Sequence, residues 1–246
     1  MVRFHKKFYF LKVYENWFTY KFNFFRLFTL NSYLHVKNTG GKKVMGIAKN
    51  THTVELDLTQ DNETIYANFR NTVKQEIRKS EKEGVECNFR QDLKDEFIPF
   101  YNEFAKAKGI YPTSHKRIEE LGDNIKMSYA FYNGEMIVAH SYLVDKEVGI
   151  ARLYHSGSRR LDETVDRNVI GRANKLLTYK DILFFKEEGY KILDFGGYVE
   201  NTEDKSMKGI NEFKLSFGGQ VVECLNYSSP LYYIMKAVAD KIDRRY

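Results

Sequence analysis

A chain of 246 residues with 43% apolar content can bury a substantial core, which excludes a chain that is disordered throughout. The net charge of +6 suits a nucleic acid, an anionic cofactor or a negatively charged membrane surface, so charge alone selects none of them. The two cysteines, Cys87 and Cys224, lack the spacing of a disulfide framework or a zinc knuckle and are expected to be reduced, cytosolic thiols.

The first stretch is basic and aromatic. Residues 1 to 30 hold six Lys/Arg against the single acid Glu15, interleaved with rings such as Phe4, Tyr9, Phe10, Trp17, Phe22, Phe24 and Phe25. Such a segment suits either strands or a helix docked on a domain, or a bilayer interface where rings lie at headgroup level and basic groups meet anionic lipid. No run approaches the roughly 18 to 20 apolar residues that cross a membrane, and charges interrupt any secretory-signal core. Residues 1–32 are therefore read as a basic aromatic segment and 33–246 as one domain.

Thr53 to Leu58 alternates with period two and predicts a strand, followed by one helical run from about Glu63 to Glu83 that stops at Gly84. Val85 to Phe89 predicts a short strand, and Phe97, Phe100, Tyr101 and Phe104 mark a helix closing at Gly109. Ile125 to Tyr132, Glu135 to Val144 and Val148 to His155 form three apolar runs parted by Asn133-Gly134 and Asp145-Lys146-Glu147, an antiparallel meander. A helix over Asp162 to Glu188 follows, with an interruption near Tyr179 to Asp181, then a strand over Tyr190 to Phe195. Lys205 to Leu215 predicts a short helix, Gln220 to Leu225 a strand, and Leu231 to Ile242 a helix opened by Pro230. This order predicts an α/β domain on a central mixed sheet. No strand runs into a glycine fingerprint opening a helix, which argues against a dinucleotide fold.

Three constellations carry candidate chemistry. The first is His155-Ser156-Gly157-Ser158-Arg159-Arg160, where hydroxyls and arginines ahead of helix-start amides make an anion pocket for phosphate or pyrophosphate. Asp162 can instead cap that helix and leave Arg159 and Arg160 as solvated charges. His155 can take a proton near neutral pH, although a lone histidine at a strand end is commonly structural; His140, alternating with strand core, has less claim.

The second constellation is Asp194-Phe195-Gly196-Gly197-Tyr198, an acid ending a strand before a bend that glycine permits. It contains the letters of the kinase metal triplet, but the kinase lysine and His-Arg-Asp loop are missing. In the third, Phe213-Lys214, Lys214 can stabilise oxygen charge and Phe213 can wall the pocket. Alternatively Phe213 and Phe217 pack inward while Lys214 faces water. No His/Cys/Asp/Glu cluster has zinc-ligand spacing, so no metal is expected.

Taken together, several blocks resemble the FemABX-like branch of the GNAT acyltransferase superfamily, which includes the peptidoglycan cross-bridge aminoacyltransferases. They are Phe69-Arg70 through Val85, Gly171-Arg172-Ala173-Asn174, Phe185 to Tyr190, Asp194 to Tyr198, and Gly209 to Gly219. The resemblance covers about residues 50 to 230. It implies a GNAT-like fold whose sheet splays to admit an acyl donor, with an acceptor amine approaching from the other side. It also implies an active-site role for Phe213-Lys214, which match the family's phenylalanine-lysine pair; with Asp194 and His155, read from their own positions, Lys214 makes up the candidate catalytic set. Read from the residues as an anion pocket, Ser156, Gly157, Ser158, Arg159 and Arg160 are the candidate donor-binding segment, and Gly196, Gly197, Tyr198 and Phe213 the candidate substrate-binding one.

No tightly bound cofactor is implied; acyl-CoA or aminoacyl-tRNA is the co-substrate. The loop at Ser156 to Arg160 lacks the alternating glycines of the usual coenzyme A loop, and the chain has room for one such domain where cross-bridge enzymes carry two. Single-domain relatives imply an amine on an amino sugar, a surface glycan or a lipid-linked envelope precursor as acceptor. With such an acceptor, the basic aromatic prefix would hold a cytoplasmic protein in peripheral contact with the inner membrane through residues 1–30. The competing reading from another class is a non-catalytic binding module for nucleic acid or an anionic envelope polymer. It is carried by Arg70, Lys74, Arg78, Lys79 and Lys82 and diluted by Glu76, Glu81 and Glu83.

Overall fold

A computed structural model describes residues 2–8, 11–19, 28–37, 47–160 and 166–243. Asp162, Tyr9, Phe10 and the prefix residues 20–27, including Phe22, Phe24 and Phe25, lie outside the described residues. In chain order the elements are β1 (Val2–Phe8), β2 (Leu11–Trp17), β3 (Asn31–Val36), β4 (Ile47–Asp57), α1 (Asn62–Ala67), α2 (Asn71–Lys82), β5 (Glu86–Phe89), α3 (Lys94–Lys108) and α4 (His115–Leu121). They continue as β6 (Ile125–Tyr132), β7 (Glu135–Asp145), β8 (Ile150–Ser158), α5 (Arg167–Glu187), β9 (Ile192–Tyr198), α6 (Lys205–Leu215), β10 (Gln220–Ser228) and α7 (Pro230–Asp243). The chain forms two compact units, residues 1–53 with 221–246 and residues 54–220.

In the first unit the basic prefix supplies strands. β1 and β2 form an antiparallel hairpin with Val2 opposite Trp17, β2 runs parallel to β3, and β10 closes antiparallel on β3. Tyr33, Val36 and Tyr227 form a small buried cluster there.

The second unit is an α/β domain with a mixed sheet in the order β4-β9-β8-β7-β6-β5. The meander β6-β7-β8 is antiparallel, and Asn133 and Gly134 at its first turn have φ of 51° and 79°, the positive values that a tight hairpin demands. Successive β7 side chains alternate between two faces. His140 and Tyr142 meet Asp181 of α5 on one face, while Ser141 meets His155 beside Phe97 and Tyr101 of α3 on the other. Helices thus cover both faces, and the main core of Val54, Ile77, Val138, Leu177, Phe185, Leu193 and their neighbours is continuous.

Local departures from the sequence reading have physical causes. The helix expected over Glu63 to Glu83 is broken into α1 and α2, because Arg70 adopts an extended ψ of 145° and its N–H donates to Ser216 O at 2.9 Å. Conversely, α5 is unbroken through Tyr179 to Asp181. Asp181 is fully buried yet its Oδ2 accepts the Tyr142 hydroxyl at 2.6 Å and lies 2.7 Å from His140 Nδ1, so a polar residue occupies the buried stripe without breaking the helix. The strand predicted to end at His155 continues through Ser158.

Candidate active site

The parallel ladder between β8 and β9 pairs Ile150 with Ile192, Ala151 with Leu193 and Arg152 with Asp194, and ends there although both strands continue. At this last pair, Asp194 is completely buried. Its Oδ2 accepts from Arg152 Nη1 at 2.7 Å and its Oδ1 accepts from the Gly196 N–H at 2.7 Å. Both carboxylate oxygens are therefore held, and the chain turns at Gly196 with φ of +89°, a value that side-chain-bearing residues rarely adopt.

Helix α6 delivers the lysine to this turn. Asp204 caps it by accepting from the Ser206 and Met207 amides at 2.7 and 3.1 Å. Asn211 then clamps the helix to the end of β9: its Nδ2 donates to Val199 O at 2.8 Å and its Oδ1 accepts from Val199 N at 3.3 Å. Lys214, three residues further on, consequently lies over the bend, and its Nζ donates to Gly197 O. A Cβ on Gly196 would lie 3.8 Å from that Nζ. Burial lowers the Lys214 pKa to about 8, with the Arg152 charge adding to the shift and Asp194 opposing it.

The aromatic and glycine neighbours hold this geometry. Phe213 meets Phe217 with ring centroids 5.3 Å apart, and Phe217 in turn stacks on Phe195 at 5.8 Å. Gly218 takes φ of +79° beside Asn68, and a Cβ on Gly219 would come within 2.6 Å of Val54 Cγ1. The second diglycine therefore fits a close approach of α6's exit to β4.

The structure brings Asp194, Gly196, Gly197 and Lys214 together, with Phe213 and half-buried Tyr198 adjoining the core beside them. His155 has other partners. Its Nδ1 lies 2.7 Å from Ser141 Oγ, its ring packs 4.5 Å from Tyr101, and Arg117 donates to neighbouring Tyr154 at 2.9 Å. Burial, assisted by Arg117, pushes its pKa down to about 3, which disfavours the proton uptake near neutral pH expected from sequence.

The segment read as an anion loop is strand up to Ser158, with Ser156, Gly157 and Ser158 opposite His140, Ala139 and Val138. Gly157 faces α3, where a Cβ would touch Tyr101 at 3.4 Å. Arg159 is paired with Glu135 at 2.7 Å, and Arg160 is exposed. The cap of α5 is Asp166, whose carboxylate accepts from the Asn168 amide at 2.8 Å.

Two residues of this site escaped the sequence reading, Arg152 and Asn211. A charged residue within the apolar run Ile150-Ala151-Arg152-Leu153 was the available signal for the first. A second buried polar group, His140 with Asp181, Tyr142 and Asn174, joins β7 to α5; His140 Nε2 lies 2.8 Å from Asn174 Oδ1.

No protein-family model matches the sequence, and no curated protein matches it significantly. Solved structures do match in fold. FemX superposes with a TM-score of 0.66 at 11% identity, over 94% of this chain and 85% of that one. The chain therefore shares its fold with FemX. L-PGS from Bacillus licheniformis gives a TM-score of 0.53 at 12% identity, over 81% of this chain and 68% of that one. The C-terminal DUF2156 domain of an Agrobacterium fabrum protein assigned to the lysylphosphatidylglycerol synthetases gives 0.56 at 11% identity, over 86% and 71%. The FemABX-like resemblance read from Phe213-Lys214 and the two diglycines thus agrees with the fold.

Proposed function

We propose that this chain is an N-acyltransferase or aminoacyltransferase of the FemABX-like type, acting on an amine of a cell-envelope precursor, amino sugar or surface glycan. The observation that carries the reading is the placement of Lys214 Nζ over the Gly196-Gly197 bend, beside the Arg152–Asp194 pair where the β8–β9 ladder ends. The donor is an acyl group on a polyanionic carrier, either acyl-CoA as a thioester or aminoacyl-tRNA as an ester, with no tightly bound cofactor.

In this reading the acceptor amine attacks the donor carbonyl carbon, forming the C–N bond. The tetrahedral oxyanion is stabilised by the Lys214 ammonium, and the C–S or C–O bond then breaks. The amine proton leaves to solvent, and the thiol or ribose hydroxyl is the departing group. Asp194 positions Arg152 and fixes the bend, Phe213 and Tyr198 wall the pocket, and Gly196 and Gly197 keep it open to substrate. Ser156 to Arg160 keep a donor-facing role through exposed Arg160, while His155 is assigned a scaffold role because its pKa of about 3 makes it a poor base.

Residues 1–32 serve as the basic aromatic segment of a cytoplasmic protein that contacts the membrane peripherally, and the unit of residues 54–220 as the GNAT-like catalytic body of the 33–246 region. A lipid-linked precursor and tRNA are the proposed partners. Native mass spectrometry with acetyl-CoA, free coenzyme A and mixed aminoacyl-tRNA tests the donor. A saturable complex with either carrier supports the reading and identifies the donor; binding of neither overturns it.

A further inference from the structure

The net charge of +6 is the sum over two units of opposite sign. Residues 1–53 and 221–246 carry 14 Lys/Arg against 4 Asp/Glu, whereas residues 54–220 carry 25 against 29. The positive charge of the chain therefore belongs to the first unit, and the unit that holds Lys214 and Asp194 is mildly acidic. Arg3, Lys12, Lys37, Lys49 and Lys236 of the first unit are all exposed.

The same unit carries an apolar helix face turned to solvent. In α7, Leu231, Ile234 and Val238 are 41%, 60% and 53% exposed, and Tyr233 is 46% exposed, while Tyr232 is buried. Leu231, Ile234 and Val238 are spaced by three and four residues, which puts them on one stripe of the helix. Three adjacent branched aliphatic side chains in water are unfavourable unless something apolar covers them. The cover has to tolerate a unit in which 14 Lys/Arg outnumber 4 Asp/Glu, which disfavours a second copy of this equally basic unit and favours an anionic partner with an apolar interior.

We propose that the Leu231, Ile234 and Val238 stripe of α7 is a docking face for a membrane containing anionic lipid. The helix lies in the plane of the interface, its stripe entering the acyl boundary while the lysines and arginines of the unit meet the headgroups. It lies on the bilayer rather than crossing it: among the described residues no helix is long and apolar enough to span. The docking stripe is distinct from the prefix considered above, and it rests on no assumption about the reaction.

The test is sedimentation of the full chain with vesicles of phosphatidylglycerol and phosphatidylcholine, against phosphatidylcholine alone. The wild type is expected to bind the anionic vesicles preferentially, and less as salt is raised. Ile234→Asp should weaken binding by about tenfold or more, while Ile234→Trp should strengthen it. Equal vesicle binding by the wild type and both variants overturns the proposal. So does a wild type that ignores vesicles but dimerises in sedimentation velocity, with the dimer lost in Ile234→Asp, since a second copy then covers the stripe.

Discussion

Arg152 Nη1 lies 2.7 Å from Asp194 Oδ2 at the last register pair of the parallel ladder, and the two residues are 42 positions apart in the chain. The carboxylate is completely buried and the guanidinium side chain is 15% exposed. A buried ion pair adds little net stability because both ions lose water, but deleting one partner strands the other. Asp194→Asn is therefore expected to destabilise the protein by about 3 kcal/mol, and to cost turnover as well, since Arg152 and the Gly196 bend lose their anchor. Arg152→Ala should do the same. Chemical denaturation of both variants checks the stability, and the double variant should be less damaged than the two single losses added together.

The charge state of Lys214 sets a pH dependence. With a pKa of about 8, it is mostly an ammonium at neutral pH and becomes neutral as pH rises through that value. If the ammonium stabilises the oxyanion, kcat should fall above about pH 8. Lys214→Arg should remove that descending limb while retaining part of the rate. Lys214→Ala should lower kcat by about a hundredfold or more, the typical effect of deleting an oxyanion donor.

The same residue carries a stability signature of opposite sense. Its folded pKa lies below the ordinary lysine value of 10.5, so between about pH 8 and 10.5 the unfolded chain binds the extra proton. Stability contributed by this group rises with pH in that window. Lys214→Met should flatten the rise, as measured by denaturant midpoints across the range.

His155 gives the acid counterpart. Its folded pKa of about 3 lies below the unfolded 6.5, so the unfolded state takes up the proton first as pH falls. Stability should therefore decline from about pH 6.5 downward, with a slope approaching about 1.4 kcal/mol per pH unit from this group. His155→Gln should reduce that slope without introducing a pH dependence in kcat.

Asp181 tests the second buried network. Its Oδ2 accepts the Tyr142 hydroxyl and adjoins His140, and the residue is fully buried. Asp181→Ala takes the partner from the Tyr142 hydroxyl and from His140 Nδ1 and opens a cavity, and is expected to cost about 3 to 5 kcal/mol. Thermal or denaturant unfolding reads the loss directly.

Elements whose boundaries are set locally were legible in the sequence. The limits of α6 at Lys205 and Leu215, the stops at Gly84, Gly109 and Gly189 and the Asn133-Gly134 hairpin all depend on backbone preferences a few residues wide. The break between α1 and α2 was not legible, because its cause is a hydrogen bond from Arg70 to Ser216. Seven-residue α4 carries too little periodicity to register, although Ser114 caps it with a 3.2 Å bond from the Arg117 amide. In the site, Lys214 and the Gly196 bend were legible as motif residues. Arg152 and Asn211 were not, since their roles arise from partners 42 and 12 residues away. The burial of His155 against Tyr101 of α3, which favours the structural of its two readings, is a tertiary effect that the sequence does not display.

The central claim is acyl transfer at Lys214, and the most direct measurement offers labelled acetyl-CoA or labelled aminoacyl-tRNA to the protein with an envelope-precursor extract as acceptor. Label is expected to enter an amide product from one of the two donors with wild-type protein and to be lost with Lys214→Ala. Absence of transfer from both donors, or undiminished transfer by Lys214→Ala, would contradict the account.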